Sequence, residues 1–141
     1  MGISHKDRIN GQMVLEGIID CAKKCLANNI PVGLGTDTGC PYITHYDMYR
    51  ELYYFVKYCK VSNKLALYTA TAKNAELLGA GDICGKVKKG YYADLIVCAE
   101  NPLDNILALK NIEKVICRGE LVNNKKLKKY SENEGILNKY L

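Results

Sequence analysis

The chain has 141 residues, an apolar share of 48% and a formal net charge of +5. That length suits one compact domain with a core of its own. No apolar run approaches the roughly 18 residues of a membrane span, and residues 1–8 hold no apolar signal-peptide core. A cytoplasmic protein that makes no membrane contact is therefore expected.

Gln12 to Asn28 reads as an amphipathic helix, with Val14, Ile18, Cys21, Ala22 and Cys25 at helical spacing. Cys21 and Cys25 share a face of that helix. The chain has 7 cysteines and no Cys-x-x-Cys pair. Two thiols with no histidine nearby suit buried packing in a reducing cell better than zinc. Asn28-Asn29 ends the helix ahead of Pro31. Val32 and Leu34 then read as a short buried strand, with Pro31 tolerated only at its start. The strand runs into Asp37, which Gly35 and Gly39 frame and free to turn. An acid at the carboxyl end of a parallel strand is where α/β enzymes keep their chemistry. Taken alone, the same aspartate reads as a turn or cap residue. Cys40 lies just past Asp37, in position to line a pocket there.

Cys40 to Thr44 is a loop, and Thr44 with Asp47 has capping-box spacing. A helix follows to about Cys59, with Met48, Leu52, Phe55, Val56 and Cys59 on one face. Tyr49, Tyr53, Tyr54 and Tyr58 extend that face as packing aromatics. Ser62 caps a second helix through Leu67. Thr71 caps a third, which stops near Leu78 at Gly79. Helix, short loop, strand, helix is the α/β rhythm.

From Gly81 the texture changes to short strands and glycine turns. The Gly85 to Gly90 loop lacks the Gly-Lys-Ser/Thr ending of a phosphate cradle. Ala93 to Cys98 is the clearest strand. Lys114 to Arg118 and Glu120 to Val122 form a hairpin with Arg118-Gly119 in its turn. The charge excess gathers at Lys125, Lys126, Lys128 and Lys129. No aromatic residue interleaves with it, so it reads as a solvated tail rather than a nucleic-acid surface. Residues 131–135 look loosely ordered, with Ile136, Leu137 and Leu141 in a last docked turn.

The Gly35-Thr36-Asp37 strand end, Thr71-Ala72-Lys73-Asn74-Ala75, Ala93-Asp94-Leu95-Ile96-Val97, Asn101-Pro102-Leu103 and Gly119-Glu120-Leu121-Val122 stand in a telling order. It resembles the C-terminal part of the metal-dependent amidohydrolase superfamily, in its imidazolonepropionase-like and Xaa-Pro dipeptidase-like branches, over most of residues 8–122. The resemblance implies an α/β fold class: the last βα unit of a (β/α)8 amidohydrolase barrel, followed by short strands of the companion β-sandwich. Residues 1–80 then correspond to the barrel fragment, 81–123 to sandwich strands and 124–141 to a lysine-rich tail. The barrel is incomplete, because such barrels need roughly 200 residues or more. A lone parallel strand has no ladder partners, and its unpaired backbone groups are costly. A complementing N-terminal segment or a homo-oligomer formed by strand exchange is expected to supply them.

The resemblance also assigns chemistry. It makes Asp37 both a ligand of a divalent metal, commonly zinc, and the base that takes a proton from the attacking water. The reaction would be hydrolysis of an amide or cyclic C–N bond in a small-molecule substrate. His45, at the mouth of the loop that follows Asp37, and Thr38 are the candidate substrate-binding residues, and His45 reads equally as a solvent-facing histidine at a helix N-terminus. Asp94 would fix the turn ahead of its strand. The family's His-x-His pair has no counterpart here, since His5 and His45 are the 2 histidines, and His5 reads as a flexible surface residue. A catalytic zinc usually takes three protein ligands. The alternative is thus an inactive remnant or interaction module that binds no metal alone and needs a partner chain.

Overall fold

The computed structural model describes residues 5–39, 43–123 and 129–141. Cys40, Lys125, Lys126 and Lys128, singled out above, lie outside the described residues. Helix α1 (His5–Ala27) starts earlier than the apolar spacing requires, so His5 opens a helix rather than a loose terminus. Helix α2 (Met48–Cys59) matches its apolar stripe. Leu52 and Phe55 on that stripe join Ala66 and Ile106 as the buried centre of the core. Leu26 of α1, together with Val32 and Leu34, packs against this centre. Burying side chains of this size stabilises by about 1.5–3 kcal/mol each.

Helix α3 (Asn63–Tyr68) begins where expected, because the Ser62 hydroxyl accepts the Leu65 N–H at 3.2 Å. The next helix start does not fall where Thr71 was expected to cap it. The helix continues through a π-turn (Thr69–Lys73) into α4 (Asn74–Leu77). Thr71 sits inside that turn and donates its hydroxyl to the Leu67 carbonyl at 2.6 Å. A threonine bonding back to the preceding turn is a helix-interior behaviour. Gly79 does end the run, at φ +71°.

The second half is a small antiparallel sheet of order β1-β2-β3, made of β1 (Leu95–Cys98), β2 (Ile112–Cys117) and β3 (Glu120–Leu121). Leu95 pairs with Ile116 and Cys117 with Glu120. Arg118 (φ 53°) and Gly119 (φ 88°) form the two-residue turn between β2 and β3. Positive φ at both positions is the requirement of a type I′ hairpin turn. Asp94 accepts the Arg118 N–H at 2.7 Å, tying the entry of β1 to that turn. Apolar residues are exposed on both faces of the sheet: Val97 and Leu121 on one, Ile96 and Ile112 on the other.

Residues 131–135 are helical, within α5 (Ser131–Leu137). Composition hid this because the contacts that order the segment come from far away in sequence. The Arg50 Nη2 donates to Asn138 Oδ1 at 2.9 Å and the Lys57 Nζ to the Tyr140 carbonyl at 2.9 Å. Tyr130 N–H donates to the Tyr46 hydroxyl at 3.1 Å. Lys129 lies over the Tyr46 ring, 5.7 Å from its centre. Among the described residues no helix is long and apolar enough to cross a membrane.

Candidate functional site

Residues 31–37 carry the candidate site, and their burial alternates without a break. Val32, Leu34 and Thr36 are half-buried, whereas Pro31, Gly33, Gly35 and Asp37 are exposed. Side chains of successive strand residues point to opposite faces, so a period of two marks strand geometry. The expected strand at Val32 and Leu34 is not formed as such: residues 31–37 are not assigned as a strand, and among the described residues they have no strand neighbour to make a ladder with. Val32 and Leu34 pack on the core, Gly33 faces Asn74 and Leu77, and Gly35 has open space beside it.

A side chain partly takes the place of the missing strand. Leu34 N–H donates to Asn74 Oδ1 at 3.0 Å, and Asn74 Nδ2 donates to the Leu34 carbonyl at 2.7 Å. The carboxamide thus satisfies both backbone groups of one residue, as a neighbouring strand would. Gly33 is required for this approach. A Cβ there would lie 2.7 Å from Asn74 Oδ1 and 3.2 Å from Leu77 Cδ1.

Asp37 leaves the extended run at φ 52°, a left-handed conformation uncommon for a residue with a side chain. The Thr38 hydroxyl meets the Thr36 hydroxyl at 2.6 Å. His45 is exposed, with its ring edge-on to Tyr46 at 5.2 Å. The structure therefore joins Thr36 with Thr38 and sets His45 against Tyr46, just ahead of α2.

Two hollows flank the run on the α2 side. The larger, about 450 Å³, is an apolar groove between α1 and α2, walled by Ile18, Ile19, Val32, Leu34, Tyr54 and Tyr58. The smaller, about 170 Å³, is lined by Thr36, Thr44, Asp47, Arg50, Glu51 and Tyr54. Thr44 does not cap α2 with its hydroxyl. It donates instead to Asp47 Oδ2 at 2.7 Å, and Arg50 Nε donates to the same oxygen at 3.0 Å. Asp47 holds the N-cap position, where a carboxylate suits the helix dipole. Glu134 of α5 approaches Arg50 Nη2 at 3.5 Å. Burial opposes the Arg50 charge, but the hydrogen bond to Asp47 and the two carboxylates outweigh it and raise its pKa. Arg50 was missed in the sequence because Asn138, one of its partners, lies 88 residues away. Burial pushes the Glu51 carboxyl up from its ordinary value, and the Tyr49 phenol up to about 12.

Of the described cysteines, Cys21 and Cys117 are exposed and Cys25, Cys59, Cys84 and Cys98 half-buried. Burial raises the thiols of Cys25, Cys59 and Cys98 above their ordinary range, with Cys21 adding to the effect at Cys25. A raised thiol is a weaker ligand and nucleophile at neutral pH. Among the described residues no three His, Cys, Asp or Glu side chains gather where they could share a metal ion.

The strand-end acid, the Asn74 clamp and the closing hairpin stand within the span of one family model. The amidohydrolase family model matches residues 5–122. The fold is similar to the crystal structure of a protein assigned as a prolidase from Bifidobacterium longum. That match has a TM-score of 0.91 and 33% identity over 98% of this chain and 34% of that one. A Xaa-Pro dipeptidase with methionine bound in its active site gives a TM-score of 0.69 and 31% identity, over 76% of this chain and 26% of that one. The ochratoxinase of A. niger gives 0.68 and 25% identity, over 85% of this chain and 28% of that one. No curated protein sequence matches the chain. This chain thus spans 34% or less of the length of these three proteins. The family match covers the extended run, the helices behind it and the sheet, and on that ground the chain belongs to the amidohydrolase family.

Proposed function

We infer that this chain is the C-terminal portion of a hydrolase acting on C–N bonds, and that Asp37 is the acid–base group it contributes. The observation that carries the reading is the exposed Asp37 directly after the alternating run of residues 31–36. A carboxylate there is ionised at neutral pH and can take one proton from an attacking water. The names of the two relatives above 30% identity support a dipeptide substrate, with the bond before proline as the first to test.

The chain's own residues do not fit a complete metal site. Asp37 is a single carboxylate, and the sequence holds 2 histidines, whereas a catalytic zinc takes three protein ligands. Any such ion would need ligands from other segments. The open surfaces support the same need for a partner. Met13, Val14 and Ile18 along the middle of α1 are more than 60% exposed, and exposed apolar patches of this kind mark interaction surfaces. A complementing barrel segment suits this need, and a second copy of the chain is the alternative. A non-catalytic interaction module is the second reading, favoured by the ligand count.

The test mixes this chain with the remaining barrel segment of the Bifidobacterium longum relative, made as a separate polypeptide. Hydrolysis of a Xaa-Pro dipeptide that requires both pieces is the expected result. Binding of the two pieces without hydrolysis would favour the interaction module, and no binding would contradict both.

A further inference from the structure

We propose that the apolar groove between α1 and α2 is the docking surface for the complementing barrel segment, and that this segment brings a lysine or arginine side chain to Glu51. The proposal rests on the reading of the chain as one portion of a larger hydrolase. Leu15, Ile18 and Ile19 of α1, Val32 and Leu34 of the extended run, and Phe55 of α2 wall the groove, whose volume is about 450 Å³. Glu51 is the one carboxylate that lines it, and no lysine, arginine or histidine does. The other titratable groups there, Tyr54, Tyr58, Cys59 and Tyr140, are of types that are neutral at pH 7.

Glu51 is half-buried and, among the described residues, makes no hydrogen bond or ion pair. The adjacent Arg50 is committed elsewhere: its Nε donates to Asp47 at 3.0 Å, and its Nη2 donates to Asn138 at 2.9 Å with Glu134 at 3.5 Å. A carboxylate taken out of water without a partner is destabilising, and a cation brought against it offsets that cost. A purely apolar occupant would bury Glu51 further with nothing in return. Charge complementarity therefore selects a segment with one basic side chain among apolar ones. Lysine and arginine suit such a place, because the methylene stem lies on apolar walls while the charged head reaches the acid. The groove also runs on into the exposed part of α1. Ile18 lines the groove and is 62% exposed, and Val14, one helical turn before it, is 61% exposed. Groove and helix stripe thus form one apolar surface with a single acid in it.

The experiment mixes the 141-residue chain with the barrel segment of the Bifidobacterium longum relative and follows the Glu51 carboxyl carbon by NMR. In the free chain Glu51 should titrate above the ordinary glutamate range, because burial disfavours its charge. In the complex it should titrate below that range, because a cation faces it. A further rise means that apolar surface covers Glu51, and an unchanged value means that the segment docks elsewhere. Either result overturns the proposal. Calorimetry on Glu51→Gln gives a second readout. This variant should bind the segment on the order of tenfold more weakly, between the worth of exposed and of buried charge pairs. Glu51→Leu should weaken binding no less. Against a merely apolar groove both variants would bind as tightly as wild type or more tightly, which overturns the proposal. So does a dimer of the chain that the Glu51 variants dissociate, since a second copy would then own the surface. Binding that depends on Glu51 without hydrolysis upholds the proposal while the hydrolase reading fails. Hydrolysis by an assembly indifferent to Glu51 does the reverse, and a segment that never binds overturns both.

Discussion

Gly85 and Gly90 offer a controlled comparison, because both have positive φ but only one is crowded. Gly85 has φ +85° and Gly90 φ +90°. Alanine at either position pays for the conformation, about 1–2 kcal/mol. At Gly90 nothing lies within 4 Å of the added Cβ, so that cost is the whole effect. At Gly85 the methyl meets Ala75 Cβ at 2.7 Å, the Thr71 carbonyl oxygen at 3.0 Å and Ala72 Cα at 3.1 Å. Two of those atoms are backbone and cannot swing aside. Overpacking of this kind adds about 1–3 kcal/mol, for a total of about 2–5 kcal/mol. Urea denaturation followed by circular dichroism reads the difference. With a slope of about 1–3 kcal/mol per molar for a small protein, the Gly85→Ala midpoint should fall below the Gly90→Ala midpoint by roughly 1 M. Equal midpoints, or a smaller loss at Gly85, would refute the claim that the loop packs directly on the π-turn that carries Asn74.

Arg50→Ala leaves the Asp47 carboxylate buried without its cation and should cost about 3–5 kcal/mol by urea titration. It should also release α5 from α2, seen as faster proteolysis around residues 130–141. Glu51→Gln should stabilise the chain increasingly as pH rises. Burial raises the Glu51 carboxyl in the folded state, so folding binds its proton more tightly. That contribution is fully present below the unfolded pKa and is lost as pH rises through the folded one. The melting-temperature gap between Glu51→Gln and wild type should be near zero at about pH 3 and open by about pH 7. A gap independent of pH would place the carboxylate in solvent.

Periodicity made α2 legible, because Met48, Leu52, Phe55, Val56 and Cys59 repeat every helical turn and face the core. Local chemistry made Ser62 legible as a cap and Arg118-Gly119 as a hairpin turn, since both are decided within a few residues. Asp94 was expected to fix the turn ahead of its own strand; it instead accepts the N–H of Arg118, in the hairpin turn 24 residues on. What stayed hidden depends on distant contacts. Thr71 looked like a cap, yet it lies inside a turn whose widening no local pattern announces. Ser131 to Gly135 looked loose, yet Arg50, Lys57 and Tyr46 order the segment around them. For the site, Asp37 and its glycines stood out, and Asn74 sat in plain view within Thr71-Ala72-Lys73-Asn74-Ala75. Its partner, Leu34, lies 40 residues upstream, so the clamp needed coordinates to be seen.

The central claim concerns one carboxylate, and one substitution tests it. In the two-piece assembly, Asp37→Asn should bind the barrel segment as tightly as wild type. Its dipeptide turnover should be lower on the order of a hundredfold or more, the usual worth of a positioned acid–base group. Undiminished turnover in that assembly would contradict the account.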